Sequence, residues 1–411
     1  MTTQLDVLVD GQLIGHLYDR HPLTFAYSDD CLNGLLRSPV ASLIPLQPGE
    51  ISTPAVLAYF ENLLPEGDQR RALEQKHHVT SIFGLLATAG WDTAGAIVLQ
   101  PAGSAPKVPA YAKHSWSEVV DIIAGQGAPE ESAKASISGA QYKLLLSIDV
   151  SDGSPLLPMG ASPSTHILKP DIQRAGQKIW ASAVNETIMM RAALHCDLPT
   201  AHVDYVAAVK SCLVERYDRV VVNAQVIRLN QFDLCQRLNI PSGVKYESDG
   251  GPSFAQCYKH VKSASVQPVK DCENLLNWLL FNLYIGNNDG HAKNLSLLET
   301  SDGLRLAPFY DLMCTSLYAG FSSNFAFNIG GTFKPGEMAL KELQSLAESV
   351  NVSSKYIVKL AQLMAAKILP ALQTAIEELK PGFSHSEKIM AERLKTEVAS
   401  LSNKRSAKLL S

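Results

Sequence analysis

Three polar residues in the second half of the chain have the types and spacing that phosphoryl transfer needs. Asp289 lies in the polar loop of Ile285-Gly-Asn-Asn-Asp-Gly-His-Ala-Lys-Asn-Leu295, Asn294 follows five positions later, and Asp311 ends Pro308-Phe-Tyr-Asp311. Transfer from a nucleoside triphosphate uses a carboxylate beside the acceptor hydroxyl, with an Asn and a second Asp holding metal ions on the phosphates. Protein kinases space the first two as D-x-x-x-x-N and bring the second Asp shortly afterwards. Both spacings are met. Asp289 therefore reads as the general base, and Asn294 and Asp311 as hard oxygen ligands for Mg²⁺. The structural alternatives are an Asp-Gly turn at 289, a turn cap at Asn294, and an N-cap at Asp311 for the Leu312–Tyr318 segment. Capping is compatible with metal binding, and the three residues together favour the chemistry.

Upstream residues supply the remaining parts. Lys169 follows the apolar strand Thr165-His-Ile-Leu168, where a strand lysine reaches ATP phosphates, and a surface lysine at a strand end is the alternative. Its carboxylate partner would be Glu186 in Asn185-Glu-Thr-Ile-Met189, for which the structural and functional readings are evenly balanced. Ser136-Ile-Ser-Gly-Ala-Gln-Tyr-Lys143 precedes a strand, the place of a phosphate-covering loop. It fails the G-x-G-x-x-G pattern. Small residues Ser138, Gly139 and Ala140 would admit a close phosphate and Lys143 would add charge, but on spacing alone an ordinary turn is the better account. Glu215-Arg-Tyr217 ends a strand where an adenine-binding hinge would stand, and by itself a charged edge strand explains it better.

The elements that must position these residues fit the same reading. A chain of 411 residues suggests two or three domains. Its 46% apolar and 18% charged content is that of an ordinary soluble enzyme. A net charge of −4 gives no overall pull toward nucleic acid, and the basic residues from Lys388 to Lys408 are interleaved with acids. Seven scattered cysteines, with no C-x-x-C, indicate reduced thiols in a cytoplasm. No signal peptide is visible, and the apolar run Leu275–Ile285 is too short to span a membrane.

The first hundred residues alternate like strands, with a hairpin turn at Asp10-Gly11 and helices near Ala55–Asn62 and Ser81–Thr88. Pro101 to Pro109 reads as a linker. A capping box opens a helix at Ser115. Strands are expected at Tyr142–Val150 and Thr165–Leu168, joined through Asp152-Gly153, then a helix over Ala183–His195 and strands at His202–Val209 and Cys212–Tyr217. Beyond about Asp271 the pattern is helical, and only Phe325–Ile329 alternates like a strand. The expectation is an α+β chain with a two-lobed, protein-kinase-like fold: an N-terminal mixed α/β subdomain over 1–105, a small lobe over 110–267, and a mostly helical lobe over 268–411.

With these residues assembled, the chain resembles the HipA family, serine/threonine kinase toxins of bacterial toxin–antitoxin systems. The likeness spans nearly the whole length. It rests on Phe60-Glu-Asn-Leu-Leu-Pro-Glu-Gly67, the 136–143 segment, Thr165-His-Ile-Leu-Lys-Pro170, Val214-Glu-Arg-Tyr-Asp-Arg219, Val244-Lys-Tyr-Glu-Ser-Asp-Gly-Gly251, and the two motifs holding Asp289 and Asp311. The resemblance implies that Asp289 is the catalytic base, that Asn294 and Asp311 hold Mg²⁺, and that Lys169 contacts the phosphates of ATP. It further implies that Ser138, Gly139, Ala140, Gln141, Tyr142 and Lys143 form the phosphate loop, and that Glu215, Arg216 and Tyr217 form the hinge. His291, Ala292, Lys293 and Tyr310 would join the nucleotide or substrate site. Ser136 matches the family's inhibitory autophosphorylation serine, with Ser138 as the alternative. The resemblance also implies an aminoacyl-tRNA synthetase as substrate, glutamyl-tRNA synthetase foremost, and growth arrest as the consequence. The partner would be a HipB-like helix-turn-helix antitoxin, with operator DNA touched through it. Two rival readings are a catalytically silent antitoxin-binding co-repressor and a kinase for a small alcohol.

Overall fold

The structure is a computed structural model, described here over residues 3–104, 108–125, 141–174, 176–177, 179–223 and 225–410. The chain divides into two units that do not follow chain order. One comprises Met1–Leu168 and Arg216–Gly243, the other Lys169–Glu215 and Val244–Ser411. Residues 110–267, expected as one lobe, are thus shared between them.

In the first unit, alternation buries Leu5, Val7, Leu17 and Phe25 on one side of an antiparallel sheet. Its order is Thr24–Tyr27, Gln12–Tyr18, Gln4–Val9, Ile97–Pro101. Asp10 and Gly11 both take positive φ (49° and 76°), the backbone of a tight hairpin. Helices Pro54–Glu61, Gly67–His77 and Ile82–Ala89 follow. The linker expected from Pro101 begins as the last residue of a strand, and 105–107 lie outside the described residues. Helix Trp116–Ile123 opens with both arms of the Ser115/Glu118 capping box in place.

A second set of antiparallel strands in this unit runs Ala110–Lys113, Pro155–Met159, Leu144–Ile148 and then His166–Pro170, which carries the chain toward the other unit. The Asp152-Gly153 turn therefore leads into Pro155–Met159 and not directly to Thr165. Pro155 and Pro158 hide that strand from a pattern reading, because proline usually marks its absence. The hairpin of Arg219–Val222 with Gln225–Arg228 was likewise not expected.

The second unit is built on helices. Ser354–Leu379 buries Ile357, Leu360, Ala361, Met364, Ile368 and Leu372 at helical spacing and packs on Ser182–His195, Pro268–Ile285 and His385–Leu409. Two hairpins accompany them, Val203–Val206 with Ser211–Glu215 and Ser296–Thr300 with Gly303–Leu306. Phe325–Ile329 is not a strand. It is an irregular segment in which Phe325, Ala326, Phe327 and Ile329 are buried, so its apolar pattern records packing and not sheet pairing. All seven cysteines are buried. No helix among the described residues is long and apolar enough to cross a membrane.

Candidate active site

Lys169 is the fourth residue of strand His166–Pro170. The next helix, Ser182–His195, is fixed at its start by Asp171, whose carboxylate accepts the N–H groups of Ala181 (3.0 Å) and Ala183 (2.9 Å). That placement puts Glu186 against Lys169, with Nζ to Oε1 at 2.5 Å and both residues buried. The lysine also donates to Asp311. Burial alone would pull the Lys169 pKa down, but Asp311 and Glu186 overcome it and hold the ammonium charged well beyond its ordinary range.

Asp311 has a φ of +56°, a left-handed backbone uncommon for a residue with a side chain. The chain before it is tied down, since Phe309 N–H donates to Pro199 O (2.7 Å) and Ala201 N–H to Phe309 O (2.9 Å). Such conformations persist where the surroundings enforce them. Asp311 does not cap a helix. The only regular turn in the following segment is Thr315–Leu317, entered through Cys314.

Helix Pro268–Ile285 stops at Gly286, whose φ is +77° and where an added Cβ would lie 2.1 Å from Ser316 Oγ. Only glycine satisfies both conditions. The loop beyond is braced at each step. Asn287 Nδ2 donates to Asn282 Oδ1 (2.7 Å), Asn288 N–H to Thr315 Oγ1 (2.8 Å) and Asn288 Nδ2 to Ser322 O (3.0 Å). Asn287 Oδ1 accepts the N–H of Asp289 (3.1 Å). Asn294 turns its amide so that Nδ2 donates to the Asp289 carbonyl (3.2 Å), which leaves Oδ1 as the atom able to ligate a metal. Burial is the main cause that raises the Asp289 pKa above its ordinary value. The Tyr246 hydroxyl and Lys245 oppose it, and Asp311 adds to it.

The remaining expected residues of this unit gather at the same loop. Ala292, Lys293 and His291 are buried, and the His291 ring meets Tyr246 edge-on at 5.0 Å. The Tyr310 hydroxyl donates to Lys293 O (2.9 Å) and pairs with Ser296 Oγ. Glu215 closes its hairpin by donating its N–H to His202 O (2.9 Å), with its side chain exposed.

Arg216, Tyr217, Gln141, Tyr142 and Lys143 belong to the first unit. The Arg216 guanidinium enters a buried ion cluster with Asp92 and Asp218, and its backbone N–H donates to Thr165 O (2.9 Å). Tyr217 donates its hydroxyl to Gln231. Lys143 is buried, and burial raises the Tyr142 pKa. Ser136, Ser138, Gly139 and Ala140 lie outside the described residues.

Tyr246 is the residue that spacing alone missed. Its hydroxyl donates to Asp289 Oδ1. The signal was the double glycine of Val244-Lys-Tyr-Glu-Ser-Asp-Gly-Gly251. The Tyr246 carbonyl accepts N–H groups from Asp249 (3.1 Å) and Gly251 (2.8 Å), and a Cβ on Gly251 would sit 2.2 Å from Val244 O. Gly251→Ala is therefore expected to spread this turn at a cost of about 1–3 kcal/mol, as for other overpacked sites. Thermal denaturation would detect the loss, and an unchanged melting temperature would disprove the tight packing.

Among the described residues no three His, Cys, Asp or Glu side chains converge as a metal cage. The Asn294 amide oxygen and the Asp311 carboxylate instead suit an ion such as Mg²⁺, which takes one or two protein oxygens and completes its shell with phosphate and water. A charged lysine clamped by Glu186, two aspartates close enough to feel each other's charge and an oriented asparagine are the side chains that a phosphotransferase site of the protein-kinase kind would use.

Comparison with known proteins agrees. Family models match residues 5–100 as the HipA N-terminal domain and 135–373 as the HipA-like C-terminal domain. The chain belongs to the HipA family. It is similar to the putative kinase Y4mE of Sinorhizobium fredii, 34% identical over 370 residues, covering 85% of this chain and 86% of that one. It is also similar to the serine/threonine-protein kinase toxin HipA of Shewanella oneidensis, 28% identical over 409 residues, covering 92% and 91%. The structure of HipA with HipB and its operator DNA from Shewanella oneidensis MR-1 superposes with a TM-score of 0.84 at 25% identity, covering 98% of both chains. The α+β, HipA-type fold expected from the sequence is the one observed.

Proposed function

We propose that the chain is a serine/threonine-protein kinase toxin of a toxin–antitoxin module, transferring the γ-phosphate of ATP to a serine of an aminoacyl-tRNA synthetase and to its own Ser136. The observation that carries the reading is the convergence of Lys169, Glu186 and Asp311 beside the Asp289–Asn294 loop. Asp289 accepts the proton of the acceptor hydroxyl. Lys169, held by Glu186, presents its charge to the phosphates. Bound Mg²⁺, held by Asn294 and Asp311, would neutralise charge on the transferring group. Ser138 to Lys143 cover the phosphates, Glu215 to Tyr217 contact adenine, and His291, Ala292, Lys293 and Tyr310 line the site.

Phosphorylation of Ser136 adds roughly two negative charges beside the phosphate site, which repels ATP and limits the enzyme. Glutamyl-tRNA synthetase is the first substrate to test, and its inactivation would arrest growth in the cytoplasm. The Shewanella oneidensis complex supports a HipB-like antitoxin as partner and operator DNA as the target of the pair. Incubation with Mg²⁺ and ATP, with and without glutamyl-tRNA synthetase, followed by intact-mass and peptide mapping, tests the reading. A phosphoryl group on Ser136 or on the synthetase is expected. No transfer to either, from a chain that still binds antitoxin, would leave a binding-only co-repressor in its place.

A further inference from the structure

We infer that Tyr246 is a positioning residue for the catalytic base, fixing one oxygen of Asp289 so that the other faces the acceptor hydroxyl. The inference rests on the kinase reading of Asp289 and deepens it. An ionised carboxylate has two oxygens and about four acceptor sites, so one oxygen can be held while the other stays available. Tyr246 donates to Oδ1, and among the described residues no group donates to Oδ2. The Asp289 backbone is already pinned by Asn287 and Asn294. The remaining freedom is rotation of the carboxylate, and the tyrosine hydroxyl removes it.

Tyr246 is itself built to hold still. Its carbonyl receives two N–H groups, and the turn closes on Gly251 with no room for a side chain. Glu247, the next residue, accepts the N–H of Asn328 at 2.9 Å and so anchors the same turn to a second segment. The ring is flanked by His291 edge-on and by the Lys245 ammonium 5.5 Å from its centroid. A donor on so rigid a turn sets the direction of the group it binds. An acceptor hydroxyl then meets Oδ2 in one orientation, the condition under which an intramolecular proton transfer is fast.

A merely structural tyrosine would act on folding and on nucleotide affinity, whereas a positioning tyrosine acts on the rate alone. The test compares wild type, Tyr246→Phe and Tyr246→Ala as full-length proteins. Self-phosphorylation is followed by intact mass over a range of Mg-ATP, and the dissociation constant for a fluorescent ATP analogue and the melting temperature are measured alongside. Tyr246→Phe, which removes only the hydroxyl, is expected to lower the rate constant at saturating ATP by about 10- to 100-fold. The half-saturating ATP concentration, analogue affinity and melting temperature should stay at wild-type values. Tyr246→Ala should lose at least as much rate.

An unchanged or faster Tyr246→Phe enzyme would overturn the assignment, the faster case meaning that the hydroxyl competes with the acceptor. Equal losses of rate, affinity and stability would also overturn it in favour of a structural role. A wild-type chain that labels neither itself nor glutamyl-tRNA synthetase would overturn the kinase reading beneath it, an outcome distinguishable from the others because it does not involve the variants.

Discussion

Asp289→Asn is expected to abolish phosphate transfer, to Ser136 and to a synthetase alike, with a loss of about 10²- to 10⁴-fold, the usual contribution of a positioned acid–base group. The same change should leave stability intact or raise it. The amide has the shape of the carboxylate, and its oxygen can still accept from the Tyr246 hydroxyl. Its backbone bonds to Asn287 and Asn294 do not involve the side chain. What disappears is a charge that the site disfavours. Burial raises the Asp289 pKa, so the folded protein binds a proton there more tightly than the unfolded chain does, and at neutral pH the ionised form is a destabilising element. Removing it relieves that cost. Activity and melting temperature should therefore part company, the first collapsing while the second holds or rises. Transfer rates by intact mass and melting curves on the same preparations would check both. A variant retaining a tenth of the wild-type rate would rule out Asp289 as the base, and one that melts much lower would make the lost activity uninformative.

The candidate site was legible in the sequence because most of it is local. Asp289 and Asn294 share one loop, the Ser296–Thr300 and Gly303–Leu306 hairpin leads to Asp311, and Lys169 and Glu186 stand on consecutive elements. Spacing of that kind survives in a one-dimensional pattern. Tyr246 escaped because it reaches Asp289 across 43 positions, from the N-cap of a single 3₁₀ turn, Glu247–Asp249, too short to leave a periodic pattern. Phe325–Ile329 misled for the opposite reason, since burial of neighbouring residues in an irregular segment imitates strand alternation. Arg216 was read from its motif as a hinge residue. Nothing local indicated that its side chain would turn to Asp92, 124 positions away, because charged residues are seldom fully buried unless paired.

That burial gives the second large effect. Asp92 is fully buried, with Oδ1 at 2.8 Å from Arg219 and Oδ2 bonded to the Ser164 hydroxyl (2.6 Å), the Ser164 N–H (2.9 Å) and Arg216 (3.3 Å). Asp218 receives Arg216 through Nε (2.9 Å) and Nη2 (2.8 Å) and the Gly95 N–H (2.7 Å). With Arg228 3.5 Å from Asp92, three guanidinium groups face two carboxylates. Burial alone would raise the Asp92 pKa, but Arg216, Arg219, Arg228 and Ser164 hold it well below the usual carboxylate range. Arg219 is pushed down to about 10 by burial and by its fellow arginines.

Asp92→Asn leaves three positive groups against one negative, and stranding charges in this way costs about 3–5 kcal/mol. The unit is expected to melt about 10 °C lower, given the usual 2–4 °C per kcal/mol for units of about 200 residues. The sign of the pH dependence follows from the depressed pKa. The contribution of Asp92 is complete above the unfolded aspartate value of about 4 and is lost as pH falls toward its folded value. The gap between wild type and variant should therefore be widest at neutral pH and narrow below about pH 4, which melting curves at three pH values would reveal. A constant gap would mean that the aspartate contributes shape and not charge. Asp92 lies in the segment matched as the HipA N-terminal domain, and Arg216, Arg219 and Arg228 in the segment matched as the HipA-like C-terminal domain. Within this one unit the two segments share a buried charge cluster, so separating them would strip these charges of their partners.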